Sequence, residues 1–72
     1  MFKLNNASPA WFNYYVHVMA RFNDLGIMIT PETMTKWLAE YNGIVIDHAN
    51  SKGWQPYFKT EQDMTYFVLK WA

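Results

Sequence analysis

Three stretches of this chain place apolar residues at helical spacing, and two shorter stretches carry β-branched and aromatic runs. Ser8-Pro9 is the first start signal, with Ser as N-cap and Pro at the first helical position, where its missing N–H costs nothing. The run that follows supports two readings. As a strand, Phe12, Tyr14, Val16, Val18, Ala20 and Phe22 share one face at period two, and their aromatic and β-branched content suits a sheet. As a helix, steps of about 100° gather Val18, Trp11, Phe22, Tyr15, Met19, Phe12 and Val16 into an arc of roughly 160°. Asn13, Asp24, His17, Arg21, Ala10 and Ala20 then fall opposite. The helix is preferred over 10–24, because the polar set has helical spacing, Gly26 supplies a stop, and a strand of that length would be unusual.

The second element starts at Thr30-Pro31-Glu32, and Met34, Trp37, Leu38 and Tyr41 recur at i, i+3, i+4, i+7 up to a stop at Gly43. Ile44-Val45-Ile46 and Trp54 to Phe58 read as two strands joined by His48-Ala49-Asn50-Ser51-Lys52-Gly53, whose Asn, Ser and Gly form turns. Pro56 favours an edge position in this hairpin. Thr60-Glu61-Gln62-Asp63 opens a last helix with a cap and an acidic third position. Its apolar stripe is Met64, Phe67, Val68 and Trp71. Phe2 to Leu4 supplies a short strand beside the hairpin. The predicted order is β-α-α-β-β-α, an α+β two-layer domain with three helices on a small antiparallel sheet.

Composition then narrows the picture. The 72 residues make one domain (1–72), since domains rarely fall below about 50 residues. Without cysteine there is no disulfide framework and no Cys-ligated zinc, so stability must come from packing, self-association or a partner. Four Trp, five Tyr and five Phe are more aromatic surface than so thin a domain can bury. Trp37, Tyr41, Phe67, Trp71, Phe12 and Phe58 are the expected core. Trp11, Tyr15, Phe22, Trp54 and Tyr57 are the surplus and the candidate binding residues. The formal net charge of zero gives no general attraction to phosphates or anionic lipid. Met1-Phe2-Lys3-Leu4 lacks the core of a signal peptide and no apolar run approaches a membrane span, so a cytoplasmic chain with no membrane role is expected.

Candidate chemistry is sparse. His17 and His48, with Asp24 and Asp47 nearby in sequence, lack metal-binding spacing, so no metal or cofactor is expected. Ser8, Thr30 and Thr60 are caps, and no Gly-x-Ser-x-Gly elbow or phosphate-cradling loop occurs. The carboxylates other than Asp24, namely Glu32, Glu40, Asp47, Glu61 and Asp63, lie mostly in first turns or on polar faces. No catalytic constellation emerges, and the expectation is a non-enzymatic protein.

Two binding readings remain. In one, Lys52, Trp54, Tyr57 and Lys59 on the hairpin, with Arg21 on the first helix, stack and neutralise a single-stranded nucleic acid. Six basic residues dispersed among six acids form no basic cluster, which favours the other reading. There, surplus aromatics form a protein-binding face, and an open hairpin edge offers strand addition to a host partner or a second copy, giving a homodimer.

The segment Phe58-Lys59-Thr60-Glu61-Gln62-Asp63-Met64-Thr65-Tyr66-Phe67-Val68-Leu69-Lys70-Trp71 resembles the C-terminal pattern of short accessory proteins of tailed bacteriophages. The shared features are a Phe, an acidic helix start with Asp, and Phe-x-Leu-x-Lys/Arg-Trp. The resemblance covers about a fifth of the chain and carries over no functional residues. It implies a phage-encoded protein of the infected cell's cytoplasm that binds and modulates a host or viral protein.

Overall fold

The α+β order predicted above is realised in the computed structural model, which describes residues 1–48 and 53–72. The expected turn residues 49–52 lie outside the described residues. The stretch with two readings is a helix, α1 (Pro9–Leu25), and not a strand. Ser8 is extended at its N-cap but its hydroxyl makes no capping bond, so Pro9 carries the start signal. At the other end Gly26 adopts φ 69°, and the Ile27 N–H reaches the Phe22 carbonyl at 2.9 Å, closing the helix in a Schellman-type turn.

α2 (Pro31–Leu38) is held at its start by a reciprocal pair of threonines. Thr33 N–H donates to Thr30 Oγ1 at 3.1 Å and Thr30 N–H donates to Thr33 Oγ1 at 2.9 Å. A single 3-10 turn, Ala39–Tyr41, follows. The stop is Asn42, at φ 56°, and not Gly43 as expected. Gly43 has a different role: Leu38 Cγ lies 2.7 Å from where a Cβ would stand, so only glycine lets the chain pass from α2 into the sheet at this distance.

β2 (Gly43–His48) and β3 (Gly53–Phe58) form the antiparallel hairpin, and β1 (Phe2–Lys3) adds to the far side of β3, giving the order β1-β3-β2. Pro56 is therefore in the middle strand and not at an edge. The position is tolerated because Pro56 faces Val45 in the register and Leu4 on the other side. Leu4 N–H donates to the Pro56 carbonyl at 3.0 Å, and the single ladder bond that proline forgoes falls just past the end of β1.

α3 (Glu61–Trp71) begins at Thr60, whose Oγ1 accepts from Asp63 N–H at 3.1 Å. α3 packs beside α1, with Asn13 Nδ2 donating to the Trp71 carbonyl at 2.8 Å and the His17 ring 5.0 Å from that of Trp71. Tyr14 is the hub of the core between them, within 5.0–6.0 Å of the rings of Trp71, Phe67, Tyr41 and Trp11. Of the expected core, Tyr41, Phe58 and Phe67 are buried, while Trp37 and Trp71 are partly buried against it. Phe12 is the exception: it is 64% exposed. In its place α1 buries Ala10, Trp11, Tyr14, Val18 and Phe22. The helix is rotated relative to its most apolar arc, because α3 takes the flank that carries Asn13, Tyr14 and His17.

Candidate interaction surface

The rotation of α1 leaves apolar side chains that the other described residues cover only in part. Phe12, Val16 and Met19, spaced i, i+4, i+7, are all exposed, and Ile27 and Met28 continue the surface past the helix end. At about 100° per residue, Tyr15, Met19, Phe12, Asn23, Val16 and Ala20 occupy one continuous sector of α1. None of them is charged. The two charged residues of the helix, Arg21 and Asp24, lie on its other flank.

Two depressions border this stripe. The first, of about 410 Å³, lies between the start of α1, the loop after β1 and the start of β3, lined by Asn6, Trp11, Phe12, Tyr15 and Trp54. Its walls are ordered locally. Asn6 Nδ2 donates to the Trp54 carbonyl at 3.1 Å, which ties the loop to β3, and Trp11 and Tyr15, one turn apart, stand 6.2 Å centroid to centroid. The second, of about 490 Å³, is lined by Val16, Met19, Ala20, Phe22, Asn23, Ile27 and Ile29.

Of the five candidate binding residues, the structure brings Trp11, Tyr15 and Trp54 together at the first groove. Trp11 forms its floor, with the body of the indole packed into the core beside Phe67 at 6.5 Å. Phe22 is not a surface residue: it is fully buried, with its ring 4.9 Å from that of Trp37. The strong apolar signal that marked it as surplus belongs to the core. Tyr57 stands elsewhere. It is three residues from Trp54 along β3 and so projects from the opposite face of the sheet, where its hydroxyl lies 2.8 Å from His48 Nε2. The hairpin aromatics therefore do not form one stacking platform. Lys52 of the nucleic-acid reading lies outside the described residues.

Phe12, Val16 and Met19 are not among the five candidates that the sequence offers. Their i, i+4, i+7 spacing on an uncharged sector was visible, but the same signal describes a core stripe, and only the placement of α3 separates the two.

The hairpin edge expected to accept a strand is partly closed. Val45 N–H donates to Thr35 Oγ1 of α2 at 2.9 Å, and the same hydroxyl lies 3.5 Å from the Val45 carbonyl oxygen. A helix side chain thus occupies the outward backbone groups in the middle of β2, a common way of protecting an edge.

The polar groups show no convergent chemistry. His17 lies against Trp71 and His48 bonds Tyr57, and among the described residues no three His, Cys, Asp or Glu side chains come together. Tyr14 is the most perturbed group: burial, then the nearby Glu40 carboxylate and Tyr41, push its phenol above the ordinary value, and its hydroxyl has no hydrogen-bond partner. It faces the core and neither groove. Among the described residues no helix is long and apolar enough to cross a membrane. No family model, curated protein or solved structure matches this chain.

Proposed function

We propose that this protein is a non-enzymatic binding module that acts by docking onto another protein through the aromatic groove at the start of α1. The observation that carries the reading is the aromatic groove walled by Trp11, Phe12, Tyr15 and Trp54, with Phe12 64% exposed. Trp and Tyr held half-buried on an ordered scaffold are the residue types that dominate interface energetics. Among the described residues no basic side chain lines the groove, which suits a protein surface better than a phosphate backbone. The resemblance of residues 58–71 to phage accessory proteins supports a host or viral protein as the target, met in the cytoplasm of the infected cell.

The test is affinity capture from infected-cell lysate with the wild-type chain and with Trp54→Ala and Tyr15→Ala. Both variants retain the buried core, and each is expected to weaken retention of the specific partner by about 30-fold or more, the size of an interface hot spot. A partner held equally by wild type and both variants removes the groove from the reading. Retardation of single-stranded DNA or RNA that weakens steeply with salt replaces it with the nucleic-acid alternative.

A further inference from the structure

We infer that a second copy of this chain covers the exposed stripe of α1, forming an isologous dimer in which Phe12 of each protomer inserts into the groove beside Ala20 of the other. This goes beyond the partner-binding groove: it is centred on the Val16 side of the helix and shares only Phe12 with that groove. Phe12 is the most exposed aromatic of α1, a projecting knob. Eight residues further on, Ala20 lies among Val16, Met19 and Asn23, an i, i+3, i+4, i+7 set whose small member leaves the depression of about 490 Å³. Four such residues form the hole that receives a knob from a facing helix.

Knob and hole lie on one face, at equal sequence distance from Val16 on either side. A twofold axis through Val16 with the helices antiparallel therefore sets each Phe12 against Ala20 of the second copy and fills both holes at once. A parallel pair would instead oppose Phe12 to Phe12 and leave both depressions empty. The stripe carries no charge, so two copies meet without like-charge repulsion, whereas a nucleic acid or an anionic membrane would need basic residues that it lacks. A specific interface takes about 800 Å² from each partner, roughly one sixth of this chain's 4799 Å² surface. Reaching that area extends the contact past the helix end to Ile27 and Met28, both exposed. The chain has no disulfide, and association is one of the few remaining ways for a domain of this size to add buried apolar area.

Sedimentation equilibrium over about 1–100 μM is expected to give the mass of two chains. Val16→Asp places two carboxylates at the axis and is expected to weaken association by about a hundredfold or more. Val16 is half exposed, so circular dichroism of the variant should stay that of the wild type. Because the natural chain has no cysteine, cross-linking reports the arrangement directly. Oxidation of a mixture of Phe12→Cys and Ala20→Cys chains should yield the mixed dimer and little of either homodimer. A wild-type monomer throughout the range overturns the proposal, as does a dimer indifferent to Val16→Asp, or a disulfide joining two Phe12→Cys chains in place of the mixed product. A monomer whose captured partner is lost on Val16→Asp gives the stripe to another protein, and also overturns it. Trp54→Ala separates the two readings: it should weaken partner capture and leave the dimer intact.

Discussion

Tyr14 shows how one side chain carries two roles in so small a core. Its ring holds α1, α3 and the 3-10 turn together, while its hydroxyl is buried with no partner. An unpaired buried hydroxyl stabilises nothing and bears a desolvation cost of about 1–3 kcal/mol. Tyr14→Phe should therefore leave stability at pH 7 unchanged or raise it by up to about 1 kcal/mol. The variant has a second signature. Because the folded state holds the Tyr14 phenol above its unfolded value of about 10, the folded protein binds more protons than the unfolded chain at alkaline pH. Stability is fully present below about pH 10 and falls as pH rises beyond it. Urea unfolding at pH 7 and above pH 10 should show that fall in the wild type and a smaller one in Tyr14→Phe. Neither the ring's place in the core nor the fate of its hydroxyl is legible in the sequence: Tyr14 falls outside the apolar arc of the helix, and both depend on which groups α3 and the 3-10 turn bring to it.

At the scale of elements, starts and stops were largely legible. Thr30 and Thr60 cap α2 and α3 through their side chains, and Gly26 closes α1, because these signals act within four or five residues. Apart from Ser8, whose hydroxyl caps nothing, the departures involve a second element. The general rule puts Pro56 at an edge, yet it lies in the middle strand because β1 ends beside it. Gly43 stands where a helix stop is expected, yet it is needed where Leu38 and Phe58 close on the strand. Thr35 had no role in the sequence reading and turns out to hold the outer edge of β2. Thr35→Val keeps the shape and strands the Val45 N–H, so a loss of about 1–3 kcal/mol is expected. Denaturant unfolding measures it, and faster hydrogen exchange at the Val45 amide should accompany it if the edge opens as the bonds imply.

At the scale of the whole molecule, the excess of aromatics is divided between a core built around Tyr14 and a face built around Phe12. A chain whose exposed face is covered by a second copy gains stability by mass action. Its unfolding temperature should rise with protein concentration, and that dependence should vanish in Val16→Asp; calorimetry across a hundredfold range of concentration reads both. What the sequence by itself determined were the helices, the hairpin, the α+β order and the surplus of large apolar side chains, all of which follow from local periodicity and capping. The tertiary structure alone decided which way α1 turns. Its apolar residues extend around so much of the helix that periodicity allows several inward faces of similar hydrophobicity, and the choice among them is made by where α3 and α2 dock. The docking of α3 against Asn13, Tyr14 and His17 sends Phe22 and Trp11 inward and Phe12, Val16 and Met19 outward. The apolar side chains left exposed are consequently partly different from those that composition and periodicity mark as surplus.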